Sequence, residues 1–137
     1  MGFKKMDSTL GFADFALASS LKHNRSLKLM EKLDKSIEWS RIESILMGHY
    51  TIGTSGEGAD AYPPLLLFKC MLLQKWFRIN SDPELENQIN DRLSFKKFLG
   101  LSLSKPSPDH STFSRFRNRL SKNAMDQINS EVLRQFE

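Results

Sequence analysis

Between Asp109 and Lys122 the chain places Ser111, Thr112, Arg115, Arg117, Asn118, Arg119 and Lys122, with no Glu among them. Guanidinium and ammonium groups neutralise phosphates, while Asn and hydroxyl side chains bond to base edges or backbone oxygens, so this set suits a nucleic acid. At about 100° per residue, Phe113, Phe116 and Leu120 fall on one side of a helix. Ser111, Thr112, Arg115, Asn118, Arg119 and Lys122 fall on the opposite side, and Arg117 sits at the border. An apolar back and such a front are what a recognition helix requires. A merely solvated face would usually intersperse Glu among its cations.

Charge distribution points the same way. The net charge of +4 is modest, but residues 1–68 sum to zero and residues 69–137 carry the whole excess. Within residues 92–122, Arg92, Lys96, Lys97, Lys105, Arg115, Arg117, Arg119 and Lys122 face Asp109 alone, a local +7. An excess packed into one short stretch is an electrostatic footprint for a polyanion. Arg92, Lys96 and Lys97 are therefore expected to support the helix that starts at Asp109.

Other chemistries fit less well. Asp109-His110-Ser111 contains the three residue types of a hydrolytic triad, but consecutive residues at a helix start cannot adopt that geometry, and capping explains the same letters. His23, His49 and His110 lie far apart, with no paired cysteines or HxxxH spacing, so no metal site is expected. Residues 48–61 carry Gly48, Gly53, Gly56 and Gly58, yet no Lys-Ser or Lys-Thr follows and no strand precedes, which argues against a phosphate-cradling loop. Cys70 is the only cysteine; it excludes an internal disulfide, fits a reducing compartment, and reads as a buried structural thiol.

The elements that must position these residues are helical nearly throughout. Leu29, Met30, Leu33 and Ile37 recur at helical spacing, and Ser40-Arg41-Ile42-Glu43 has the form of a capping box that opens a second helix. Gly48 to Ala61 reads as a loop. Tyr62-Pro63-Pro64 then opens a helix apolar at ten of thirteen positions from Leu65 to Phe77, the expected central pillar. Ser81-Asp82-Pro83-Glu84 is a further helix start, its acids explained by the dipole. A short helix from Ser94 stops at Gly100, and Leu101 to Pro108 should be extended. Asp109 caps the cationic helix. A last helix aligns Met125, Ile128, Val132 and Phe136, a stripe that runs to the chain end and would want a partner. The three helices around 85–91, 94–99 and 109–121 suggest a helix-turn-helix-like unit, although residues 100–108 exceed the short turn of that motif. The expected fold is all-α, a compact multi-helix domain with a helix-turn-helix-like C-terminal half. No secretory signal or bilayer-spanning run is visible, so a soluble cytoplasmic protein is expected, with no membrane partner.

Several of these segments also match a family in order and spacing. They are Gly11-Phe12-Ala13-Asp14, the helix opening at Trp39, Tyr62-Pro63-Pro64 with the leucine-rich helix, and Leu73-Gln74. Ser81-Asp82-Pro83-Glu84-Leu85-Glu86, Phe98-Leu99-Gly100-Leu101-Ser102-Leu103 and Pro108-Asp109-His110-Ser111-Thr112-Phe113-Ser114-Arg115-Phe116-Arg117 complete the set. Together they resemble the region before the catalytic domain in DDE transposases of the insertion-sequence-five (InsH) type. The resemblance implies binding to the terminal inverted repeats of a mobile element, with double-stranded DNA as the partner. It also implies an RNase H-like domain in which two Asp and one Glu hold two divalent metals. This sequence ends at Glu137 before any strand carrying the first of those aspartates, so no catalytic residue is carried over. No cofactor is expected in this chain, and Mg2+ belongs to the domain it lacks. The chain alone is expected not to catalyse.

The expected division is residues 1–25 loosely ordered, 26–61 a helical hairpin with its Gly-rich loop, 62–122 the core and DNA-binding helices, and 123–137 the last helix leading to the absent domain. The expected contact set is Arg92, Lys96, Lys97, Ser111, Thr112, Arg115, Arg117, Asn118, Arg119 and Lys122. A different reading makes the region a helical dimerisation or assembly module with secondary DNA contact, through self-association or a separately encoded catalytic part.

Overall fold

A computed structural model describes residues 25–49 and 62–135. These form seven helices and no strand: α1 (Arg25–Ser36), α2 (Trp39–His49), α3 (Pro64–Trp76), α4 (Asp82–Asp91), α5 (Leu93–Leu99), α6 (His110–Arg119) and α7 (Lys122–Gln135). The all-α expectation holds. The motif near residue 11, most of the Gly-rich loop and Phe136 lie outside the described residues.

The pillar is α3, which packs against α2, α5 and α6. It starts on proline, whose missing N–H costs nothing in a first turn, and it buries Leu66, Leu67, Phe68, Cys70, Leu72 and Leu73. Burial pushes the Cys70 thiol well above its ordinary range, consistent with an inert packing residue. Around the pillar, α4 packs on α5 and α6, α1 packs on α5, and α2 packs on α7.

Local chemistry sets most boundaries. Ser81 accepts the backbone N–H of Glu84 at 3.2 Å and caps α4, with Pro83 in the first turn. Gly100 ends α5 with φ +74°, a left-handed conformation that glycine adopts without a Cβ penalty. Two expected boundaries move. The second helix starts at Trp39, one residue before the expected Ser40, and Gly48 lies in its last turn. In α1 the inner residues are Leu27 and Met30, with Ile37 buried just past its end, whereas Leu29 is 54% exposed.

The Leu101–Pro108 connection is not extended throughout. It turns at Leu103-Ser104, with the Lys105 N–H donating to the Ser102 carbonyl at 3.0 Å. Lys96 causes this: its buried ammonium donates to the carbonyls of Leu103 (3.1 Å) and Lys105 (2.8 Å), tying the loop back onto α5. Asn90 of α4 accepts the Ser107 N–H at 2.9 Å, which fixes the loop just before α6 begins.

The apolar stripe of α7 is also accounted for. Ala124 and Ile128 are fully buried, and Met125 and Val132 pack against the core. Because the Glu38 N–H donates to Gln135 Oε1 at 2.6 Å, the start of α2 meets the end of α7 and the pair runs antiparallel. Ile128, in the middle of the stripe, is thus buried within the chain, with α2 packed along α7.

Candidate functional site

Helix α6 is mounted from behind and from one flank. Phe113 and Phe116 are fully buried, and burial of rings of this size is worth about 2–3 kcal/mol each. At its start, one oxygen of the Asp109 carboxylate accepts the Thr112 N–H (2.8 Å), the Thr112 hydroxyl (2.9 Å) and the Ser111 hydroxyl (2.7 Å). These bonds, Ser111 foremost, hold the Asp109 carboxyl down at about 2. On the flank, His110 donates its backbone N–H to Glu86 of α4 at 2.8 Å, and its ring Nδ1 lies 3.1 Å from the same oxygen.

The flank is closed by a cluster around Asp82 of α4. Arg117 grips this carboxylate with both terminal nitrogens, and Ser114 donates its hydroxyl to it at 2.8 Å. Gln74 of α3 donates to Asp82 at 3.2 Å and accepts from Arg117 at 2.7 Å. The Arg117 bond is the main reason that the Asp82 carboxyl sits at about 2, and Asp82 in turn raises the Arg117 guanidinium above its ordinary value. Three helices are joined at this point.

The ten residues expected to meet a nucleic acid therefore divide into groups. Arg115, Asn118 and Arg119 lie exposed on the outer side of α6, and neither arginine forms an ion pair among the described residues. The Ser111 and Thr112 hydroxyls are engaged by Asp109, and they also accept from the Arg115 guanidinium at 3.3 Å each. They hold Arg115 over the first turn of α6. Lys122 is exposed but belongs to a different helix: α6 stops at Arg119, Leu120 is extended and buried, and Ser121 accepts the Ala124 N–H at 3.0 Å to start α7. Arg117 is drawn to Asp82, with its side chain still 41% exposed.

The three supporting cations separate as well. Lys97 is exposed and reaches Glu31 of α1 at 3.4 Å, a pairing that solvent weakens. Arg92 is half-buried at the junction of α4 and α5, stacked over Phe95 (4.2 Å) and Phe77 (4.8 Å). Lys96 is the clear departure. With 6% exposure and its ammonium bonded to two carbonyls, it is spent on the loop and is not part of an outward surface.

Sequence reasoning missed Asp82, Gln74 and Glu86, which orient α6. Asp82 reads as an ordinary dipole-favoured acid at a helix start, and nothing in its neighbours indicates a partner 35 residues away. Among the described residues no group of three or more His, Cys, Asp or Glu side chains could hold a metal ion. No described helix is long and apolar enough to cross a membrane.

The family model described as a transposase domain (DUF772) matches residues 17–119, which takes in α1 to α6. No curated protein and no solved structure matches the chain.

Proposed function

Because this chain belongs to the transposase domain family DUF772, we propose that it is the DNA-binding, non-catalytic part of an insertion-sequence transposase of the InsH type. In this reading the outer side of α6 recognises the terminal inverted repeats of the mobile element. One observation carries it: Arg115, Asn118 and Arg119 share the exposed side of a helix whose opposite side is fully buried, and neither arginine forms an ion pair with a carboxylate among the described residues. A pre-oriented guanidinium with unused N–H groups suits bidentate contact with a phosphate or a guanine edge, and Asn suits adenine. Lys122 at the start of α7 and Lys97 on α5 add exposed charge that a phosphate backbone could use.

Two-metal strand cleavage belongs, in this reading, to a separate RNase H-like domain. Cutting of a duplex by the purified chain with Mg2+ would contradict that division. The assembly-module reading, which rests on the Phe-rich content and the stripe of α7, is the weaker one, because Ile128 in the middle of that stripe is buried within the chain.

Binding of an inverted-repeat duplex and of a scrambled duplex, each across a range of salt, tests the proposal. Both affinities should fall linearly on logarithmic axes, with the repeat held tighter throughout. Equal and weak binding of the two duplexes would count against recognition of the repeat.

A further inference from the structure

Helix α3 ends in an unusual way. Arg78 follows its C-cap with φ +53°, the one left-handed non-glycine residue among those described. The Ile79 N–H donates to the Gln74 carbonyl at 3.0 Å and the Arg78 N–H to the Lys75 carbonyl at 3.4 Å, the paired bonds that close a helix over a left-handed residue. Glycine or asparagine usually occupies this position because a Cβ there meets the backbone, at a cost of about 1–2 kcal/mol. The negative end of the α3 dipole offsets that only in part, at about 0.3–1 kcal/mol. Arg78 is exposed and its guanidinium has no hydrogen-bond or ion-pair partner among the described residues. A cation in a disfavoured backbone conformation, with no internal polar partner among the described residues, is a sign of an external one.

Its surroundings say what kind. Lys75, also exposed and without a partner among the described residues, lines a groove of about 400 Å³ together with Arg78. Arg117 and Phe116 of α6 form the other side of this groove, and no acidic residue lines it among those described. Thus Arg117 bridges the outer side of α6 to two unneutralised cations at the end of α3.

We infer that Lys75 and Arg78 form a flanking phosphate-contact site for the duplex that lies across α6. This rests on the proposed DNA-binding role and adds a second contact region, built from a different helix, that binds backbone without reading sequence. The groove floor of Phe68, Met71, Ile79 and Leu120 is apolar, so an acidic amphipathic helix is the competing occupant.

The test uses the full chain and a mixed-sequence duplex of about 30 base pairs, with affinity followed against salt. Each lost phosphate contact lowers the salt slope by about 0.9, so Lys75→Gln/Arg78→Gly should lower it by about 1.8. The double variant should melt no lower than the parent, because glycine fits the left-handed position. An unchanged slope, in a chain whose Arg115→Gln/Arg119→Gln variant does show the loss, would overturn the flanking site and leave the α6 reading standing. Absence of salt-dependent binding in the parent chain would remove both. Binding of an acidic amphipathic model peptide that the Lys75/Arg78 variant abolishes, with DNA binding unaltered, would also overturn it and assign the groove to a protein.

Discussion

Arg117 of α6 holds Asp82 of α4 by both terminal guanidinium nitrogens, and Gln74 of α3 bonds to both partners. This contact takes a cation from the border of the cationic helix and uses it to set the angle of that helix. The Asp82 side chain is 15% exposed, so the pair is partly screened from water.

Asp82→Asn should therefore lower stability by about 1–2 kcal/mol near neutral pH, since a carboxyl held below its unfolded value gains about 1.4 kcal/mol per unit. The sign follows from the depressed value. The contribution is fully present above the unfolded carboxyl pKa of about 3.9 and is lost as pH falls through about 2. Denaturant titrations between these limits should show a flatter decline for Asp82→Asn than for the parent. Parallel declines would show that the pair contributes nothing.

Lys96→Met should cost about 1–3 kcal/mol, because two loop carbonyls lose a charged donor in a buried setting. Its DNA salt slope should match the parent's, as an internal ammonium meets no phosphate. A slope reduced by about 0.9 would return Lys96 to the binding surface. The contrast with Lys97 shows what sequence could and could not give. Both residues are part of the +7 stretch, yet one is buried and the other exposed, and only the path of the loop after Gly100 decides which.

Other features were legible because their causes are local. Ser81, Asp109 and Gly100 act on atoms within a few residues of themselves, and the structure has all three in the expected roles. Phe113 and Phe116 followed from helical periodicity. The remainder depended on distant chain. Helix α4 supplies the acids that orient α6, and the break at Leu120 moves Lys122 onto α7, a boundary that the continuous periodicity from Phe113 to Leu120 did not reveal.

Asp109 caps α6 beside Arg115, and its cap can be separated from its charge. Asp109→Asn keeps an acceptor for the Thr112 N–H, so stability should change by only a few tenths of a kcal/mol. DNA affinity should rise at low salt as a repulsive charge is removed beside Arg115. Asp109→Ala, lacking both, should lose about 1 kcal/mol of stability. Weaker DNA binding by Asp109→Asn would place the duplex away from this end of the helix.

Ile128→Ala tests whether α7 is integral to the domain, although it lies beyond the matched region. Ile128 is fully buried, so removal of its side chain should cost about 2–4 kcal/mol. A loss below about 0.5 kcal/mol, within the range of a surface change, would mean that α7 packs only loosely on α2.

The central claim is that the outer side of α6 meets DNA. Comparison of Arg115→Gln/Arg119→Gln with the parent chain, by fluorescence anisotropy on an inverted-repeat duplex at several salt concentrations, tests it most directly. Two lost phosphate contacts should lower the salt slope by about 1.8; a contact made to a base instead should appear as reduced preference over a scrambled duplex. A variant that keeps both the slope and the preference of the parent, while remaining folded, would contradict it.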